Sequence, residues 1–223
     1  ISIAAMYGGT GLKVTLPSDS IGKDDCEIDL QGLKDILGRV KGIIEIATNG
    51  SIVISTQTGE ITLPFIPGKL SLPNVKQETA SVYSEDLQKN LRKVLPFSAT
   101  SENKRNLYGV LVEVTDSGLR MVASDGFRLG YADTAAVVSK GEAVIIPLQF
   151  AQLLQGIIKI IPDSEVSIRA DKSAVKVQGE YFELVFARPD FEFPDYRRIL
   201  PGSFRATLEV SREELLEAVN RST

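Results

Sequence analysis

Val82-Tyr83-Ser84-Glu85-Asp86-Leu87-Gln88-Lys89-Asn90-Leu91-Arg92-Lys93-Val94-Leu95 runs from a strand end, through one small polar residue, into an amphipathic helix. Leu87, Leu91, Val94 and Leu95 recur at helical spacing, so one face of the helix is apolar and lies on a sheet. Ser84 is a good N-cap type, and Glu85 and Asp86 load the first turn with negative charge that suits the helix dipole. The same plan recurs at Glu27-Ile28-Asp29 before a helix over 30–41, at Val144-Ile145-Ile146-Pro147 before one over 149–161, and at Leu208-Glu209-Val210-Ser211 before one over 212–221. The starts lie roughly 55 to 65 residues apart, a period that marks repeated units.

Only strands follow each of the first three helices. Behind the first, strands over 43–46, 51–55 and 60–63 are joined by the hairpin signals Asn49-Gly50 and Thr58-Gly59. Behind the second, strands over 109–114, 119–123 and 127–131 turn at Asp116-Ser117-Gly118 and Asp125-Gly126; behind the third come 165–169, 174–178 and 183–187. The spacing predicts an α+β protein whose unit is one strand, one helix and three antiparallel strands. Two units over 76–202 make a complete domain, 1–75 read as the second half of an equivalent one, and 203–223 open a third.

The other helices are amphipathic too, through Leu30, Leu33, Ile36, Leu37 and Val40 in the first and Phe150, Leu153, Leu154, Ile157, Ile158 and Ile161 in the third. Their opposite faces differ in charge. The second carries Lys89, Arg92 and Lys93 and is followed by Lys104 and Arg105; the first carries Lys34, Arg39 and Lys41; the third has only Lys159. A solvated helix face is the plain reading of such sets, and an anion-facing row is the functional one.

At 223 residues, 43% hydrophobic and 24% charged, the chain has the balance of an ordinary globular protein. It contains no histidine, no tryptophan and a single cysteine, Cys26, so Ser-His-Asp triads, histidine-bound zinc, paired-cysteine redox chemistry and internal disulfides are excluded by inventory. Twenty-five basic against 29 acidic residues give a net charge of -4, which on its face argues against binding nucleic acid. No apolar run reaches the roughly 20 residues of a membrane span, and Ile1 opens nothing like a signal peptide, so a cytoplasmic protein is expected. The first residue, Ile1, and the barely begun last helix suggest a piece of a longer chain. Gly8-Gly9-Thr10-Gly11-Leu12-Lys13 lacks the spacing of a phosphate loop and reads as a turn into a strand, and Cys26 reads as a packing residue. Carboxylates are scattered over hairpins and caps without metal or acid/base spacing, so no catalytic residue, metal or cofactor is expected.

Two segments stand apart from this scheme. In Ala123-Ser124-Asp125-Gly126-Phe127-Arg128-Leu129 a strand reaches an Asp-Gly turn and leaves through an aromatic and an arginine. In Phe193-Pro194-Asp195-Tyr196-Arg197-Arg198-Ile199-Leu200-Pro201 two prolines bracket an aromatic, basic segment. Alone, one is a hairpin turn and the other a linker. Together they resemble the bacterial sliding clamps, the beta subunits of DNA polymerase III, in which a strand ending Ala-Thr-Asp-Gly-His-Arg-Leu precedes Phe-Pro-Asp-Tyr-Arg-Arg-Val/Ile-Leu-Pro. Ser71-Leu72-Pro73-Asn74-Val75 also looks like that family's junction between its first and second domains. Ser124 in place of Thr and Phe127 in place of His are the departures.

The resemblance implies a clamp fold with helices lining an inner face and antiparallel sheets outside, closed head to tail by two chains around double-stranded DNA. It implies a processivity factor for the replicative polymerase, without catalysis of its own. Lys34, Arg39, Lys41, Lys89, Arg92, Lys93, Lys104, Arg105 and Lys159 would then face phosphates without reading sequence. It also implies that polymerase, clamp loader and repair polymerases dock short linear peptides in an apolar pocket at the junction of the second and third domains, here Leu107, Ser124, Gly126, Phe127, Arg128, Leu129, Pro194, Arg198 and Ile199. With most of a third domain outside the sequence, this chain alone is expected neither to close the homodimeric ring nor to bind peptide at full strength. A beta-rich interaction module that does not encircle DNA, and a metal-dependent nucleic-acid enzyme, remain the competing readings.

Overall fold

The structure, a computed structural model, describes residues 2–7, 10–16, 18–19, 24–139, 141–160 and 165–222, without the Leu30 side chain. Strands Ser2–Tyr7 (β1) and Thr10–Thr15 (β2) are followed by Cys26–Glu27 (β3) and the helix Leu30–Leu37 (α1). Glu45–Thr48 (β4), Ser51–Thr56 (β5), Gly59–Pro64 (β6) and Ile66–Pro67 (β7) come next. Glu78–Tyr83 (β8) leads into Ser84–Val94 (α2), then Gly109–Thr115 (β9), Gly118–Ser124 (β10), Leu129–Thr134 (β11) and Val137–Val138 (β12). Val144–Pro147 (β13) leads into Leu148–Ile160 (α3), then Glu165–Ala170 (β14), Ala174–Gln178 (β15) and Phe182–Ala187 (β16), and the helix Arg212–Arg221 (α4) closes the series.

Pairing exchanges the units' first strands. β8, which opens the second unit, pairs with β14 of the third, while β13, which opens the third, pairs with β9 of the second. The sheets therefore run β11-β10-β9-β13 and β1-β2-β16-β15-β14-β8-β12, with β4-β5-β6 and β3-β7 separate. Every strand pair is antiparallel. Leu87, Leu91 and Val94 of α2 and Ala151, Leu154 and Ile158 of α3 share one core with Val110, Val112, Leu119 and Met121 of one sheet and Val166, Ile168, Val175, Val177 and Leu184 of the other. Burying an aliphatic side chain contributes about 1.5–3 kcal/mol, so this shared layer dominates the stability of the region. Phe150 of α3 stacks on Phe186 at 4.8 Å between ring centroids. A smaller core of Leu33, Ile52 and Ile54, with Ile28, Ile36, Ile61 and Phe65 against it, holds α1 to the three-stranded sheet.

The chain divides into two compact units, 1–192 and 193–223. In the second, Tyr196–Ile199 form a 3-10 turn with Tyr196 buried. The Ser211 hydroxyl caps α4 by accepting from the Glu214 amide, and the residues of that helix are exposed.

Several expectations change. The first helix stops at Leu37 instead of reaching residue 41: Gly38 keeps helical dihedrals and its amide still donates to the Lys34 carbonyl, but the Arg39 amide donates to the Ile36 carbonyl, three residues back, and the helical ladder ends there; Arg39 and Lys41 are off the helix. Ser84 is not the cap of α2: Tyr83 holds that position with no side-chain capping bond, and the Ser84 hydroxyl is buried with no hydrogen-bond partner among the described residues. The strand expected from Phe127 begins at Leu129, since the turn extends through Arg128, and residues 208–211 form no strand. The β1-β2 hairpin joins the larger sheet through β16, a pairing with no local sequence signal. Gly8, Gly9 and Ile161 lie outside the described residues.

Candidate docking turn and basic helix faces

The β10-β11 hairpin closes on the pair Ser124 and Leu129. Within it the Asp125 carboxylate organises the turn: Oδ1 accepts from the Phe127 amide at 3.0 Å and the Arg128 amide at 3.1 Å, and Oδ2 accepts from Arg128 Nε at 2.9 Å. The Arg128 side chain and these two amides hold the Asp125 carboxyl down to about 2. Ser124 Oγ donates to the Arg128 carbonyl and accepts from the Gly126 amide. Gly126 sits at φ +92°, a conformation that favours glycine. The Leu107 carbonyl is fixed by the Ala99 amide and the Ser98 hydroxyl, and its side chain lies beside Gly126, where an added Cβ would stand 3.7 Å from a Leu107 methyl.

Leu107, Ser124, Gly126, Phe127, Arg128 and Leu129 thus come together at one end of the four-stranded sheet. Phe127 is 93% exposed. The Arg128 guanidinium also lies 5.6 Å from the centre of the Phe97 ring. Pro194, Arg198 and Ile199 belong to the other unit and are exposed there, with Arg198 Nε 3.0 Å from Asp195 Oδ2. Asp125 and Phe97 were absent from the expected site residues. Asp-Gly at a hairpin end signals the first; nothing in the sequence signals the second.

Among the expected cations, Lys89, Arg92 and Lys93 occupy the exposed side of α2, opposite Leu87, Leu91 and Val94. α3 packs directly against α2 and carries exposed Lys159 in its last turn. None of these four forms an ion pair among the described residues. Lys34 is exposed on α1, Arg39 borders a hollow with Asp35, Ile36 and Ile61, and Lys41 and Arg105 are exposed on loops or turns. Lys104 departs from the row: its ammonium donates to the Asp125 carbonyl at 2.7 Å and sits 4.8 Å from the centre of the Phe127 ring. Among the described residues no three of Asp, Glu and Cys gather at metal-binding distance, and no helix is long and apolar enough to cross a membrane.

Exchanged opening strands, paired helices between antiparallel sheets and a basic helix face define the class of the sliding clamps. The structure superposes on the Thermotoga maritima DNA polymerase III beta subunit with a TM-score of 0.83 at 26% identity, covering 99% of this chain and 62% of that one. Residues 81–195 match the family model of the DNA polymerase III beta subunit, central domain, and the chain belongs to that family. The Vibrio cholerae beta sliding clamp is 27% identical over 180 residues, 77% of this chain and 48% of that protein, so the chain spans about half the length of this curated relative. The Helicobacter pylori beta clamp bound to a DNA ligase peptide has the same fold, with a TM-score of 0.78 at 21% identity over 98% of this chain and 64% of that one.

Proposed function

We propose that the chain supplies one section of a clamp protomer that encircles duplex DNA as a head-to-tail dimer and raises the processivity of the replicative polymerase. The match of residues 81–195 to the beta-subunit central domain carries this reading. The exposed cations of α2 and α3 support it physically. A protein slides on DNA when it neutralises phosphates without contacting base edges, and only charge within a Debye length of about 10 Å of the phosphates counts. The chain's net charge of -4 is therefore compatible with a basic face. Lys34, Arg39, Lys41 and Arg105 are proposed as outlying members of that set.

The Asp125 turn is proposed as part of the docking surface for short peptides of polymerase, loader and repair partners, as the ligase peptide on the Helicobacter pylori clamp suggests. Pro194, Arg198 and Ile199 are proposed to serve the same partners. An inventory without histidine supports a role without catalysis, and a part in DNA replication supports a cytoplasmic location. Primer extension with the complete clamp protomer, its loader and polymerase tests the proposal: product length is expected to rise at least several-fold over polymerase alone, and no lengthening would refute it.

A further inference from the structure

The Phe127 ring faces water, yet its surroundings are fixed. Its amide is held by the Asp125 carboxylate, its neighbour Gly126 by the Ser124 hydroxyl and its neighbour Arg128 by Ser124 and Asp125 together, so the backbone beneath the ring is pinned on both sides. One ammonium does two further things at once. Lys104 Nζ binds the Asp125 carbonyl and covers a face of the Phe127 ring. Lys104 reaches this position from a 3-10 segment, Glu102–Leu107, that it interrupts with non-helical dihedrals of -101° and 55°. An exposed phenyl group ordinarily samples several rotamers, and ordering it on binding costs affinity; a cation held over it by a second bond removes part of that cost beforehand.

Resting on the docking reading above, we infer that Lys104 is a positioning residue of the partner-binding turn, holding Phe127 out as the platform on which a partner peptide's apolar side chain lands. This takes Lys104 out of the DNA-facing row in which its sequence neighbourhood places it. The remaining surface of the ring supplies an apolar contact, and Leu107 beside Gly126 extends it.

The test is a double-mutant cycle in the complete clamp protomer, with a fluorescein-labelled copy of the DNA ligase peptide as probe and anisotropy as readout. Lys104→Met and Phe127→Leu are each expected to weaken binding by about two- to fivefold. The double variant should be no weaker than the weaker single, and Lys104→Arg should restore most of the affinity, which a general packing defect at 104 would not permit. Lys172→Met, on a distant turn, is the control. Before any peptide is added, the Lys104 side-chain protons should show a ring-current shift that Phe127→Leu abolishes. Peptide binding by the unsubstituted protein with multiplicative losses in the double variant, or with no loss in Lys104→Met, would overturn the inference while leaving the docking reading in place. No binding by the unsubstituted protein would overturn both.

Discussion

Asp125 shows what one side chain sets at the docking turn. Its carboxyl is held at about 2 by Arg128 and the amides of Phe127 and Arg128, below an ordinary carboxylate near 3.9. A depressed folded pKa contributes stability that is fully present above the unfolded value and is lost as pH falls through the folded one. The turn should hold its geometry from neutral pH to about pH 4 and loosen as pH falls toward 2; an NMR titration of the Asp125 carboxyl with a midpoint near 4 would contradict this. Ser84 offers a sharper contrast between sequence and structure. As an N-cap, its change to Ala would cost about 1 kcal/mol. As a buried hydroxyl without a partner it loses no bond on removal, so Ser84→Ala is expected to be neutral or to stabilise by about 0.5–1 kcal/mol in urea unfolding. A loss of that size would restore it as the cap.

At the level of elements, helices and hairpins were legible because their signals are local. Spacing of Leu87, Leu91 and Val94 marked α2, and turn residues placed β5, β6, β9, β10, β15 and β16 within a residue or two. Strand exchange was not legible. That β8 belongs beside β14, and β13 beside β9, is decided by which apolar faces can be covered together, a long-range matter that periodicity does not carry. Ends set by single local hydrogen bonds, such as the Arg39 amide on the Ile36 carbonyl after α1 or the Asp125 turn before β11, were misplaced for a different reason: apolar periodicity does not say which of the available local bonds forms. In the candidate site, the five turn residues and Leu107 followed from a resemblance in sequence, whereas the double use of Lys104 depends on a fold that brings residue 104 to residue 125. Exchange makes a firm prediction. Ile146 of β13 is fully buried in the core shared by the two strand-helix-strand units that α2 and α3 belong to. Ile146→Ala should cost about 2–5 kcal/mol and leave a single unfolding transition reported equally by probes in both units. Two separate transitions would show that the units are independent.

Across the whole molecule, composition conceals an uneven distribution of charge. Summed over the chain, acidic residues outnumber basic ones, 29 to 25, but Lys89, Arg92 and Lys93 share one exposed face of α2 and Lys159 stands on the helix packed against it. An acidic remainder limits indiscriminate adhesion to nucleic acid, while a basic face supplies contacts that are indifferent to sequence. The most direct measurement is primer extension with the complete clamp protomer carrying Lys89→Glu, Arg92→Glu and Lys93→Glu together, its folding checked by circular dichroism and thermal melting. The account predicts an unchanged melting transition and products shortened several-fold, with the deficit narrowing as salt rises because the unsubstituted face loses its phosphate contacts more steeply; full-length products from the folded triple variant would contradict it.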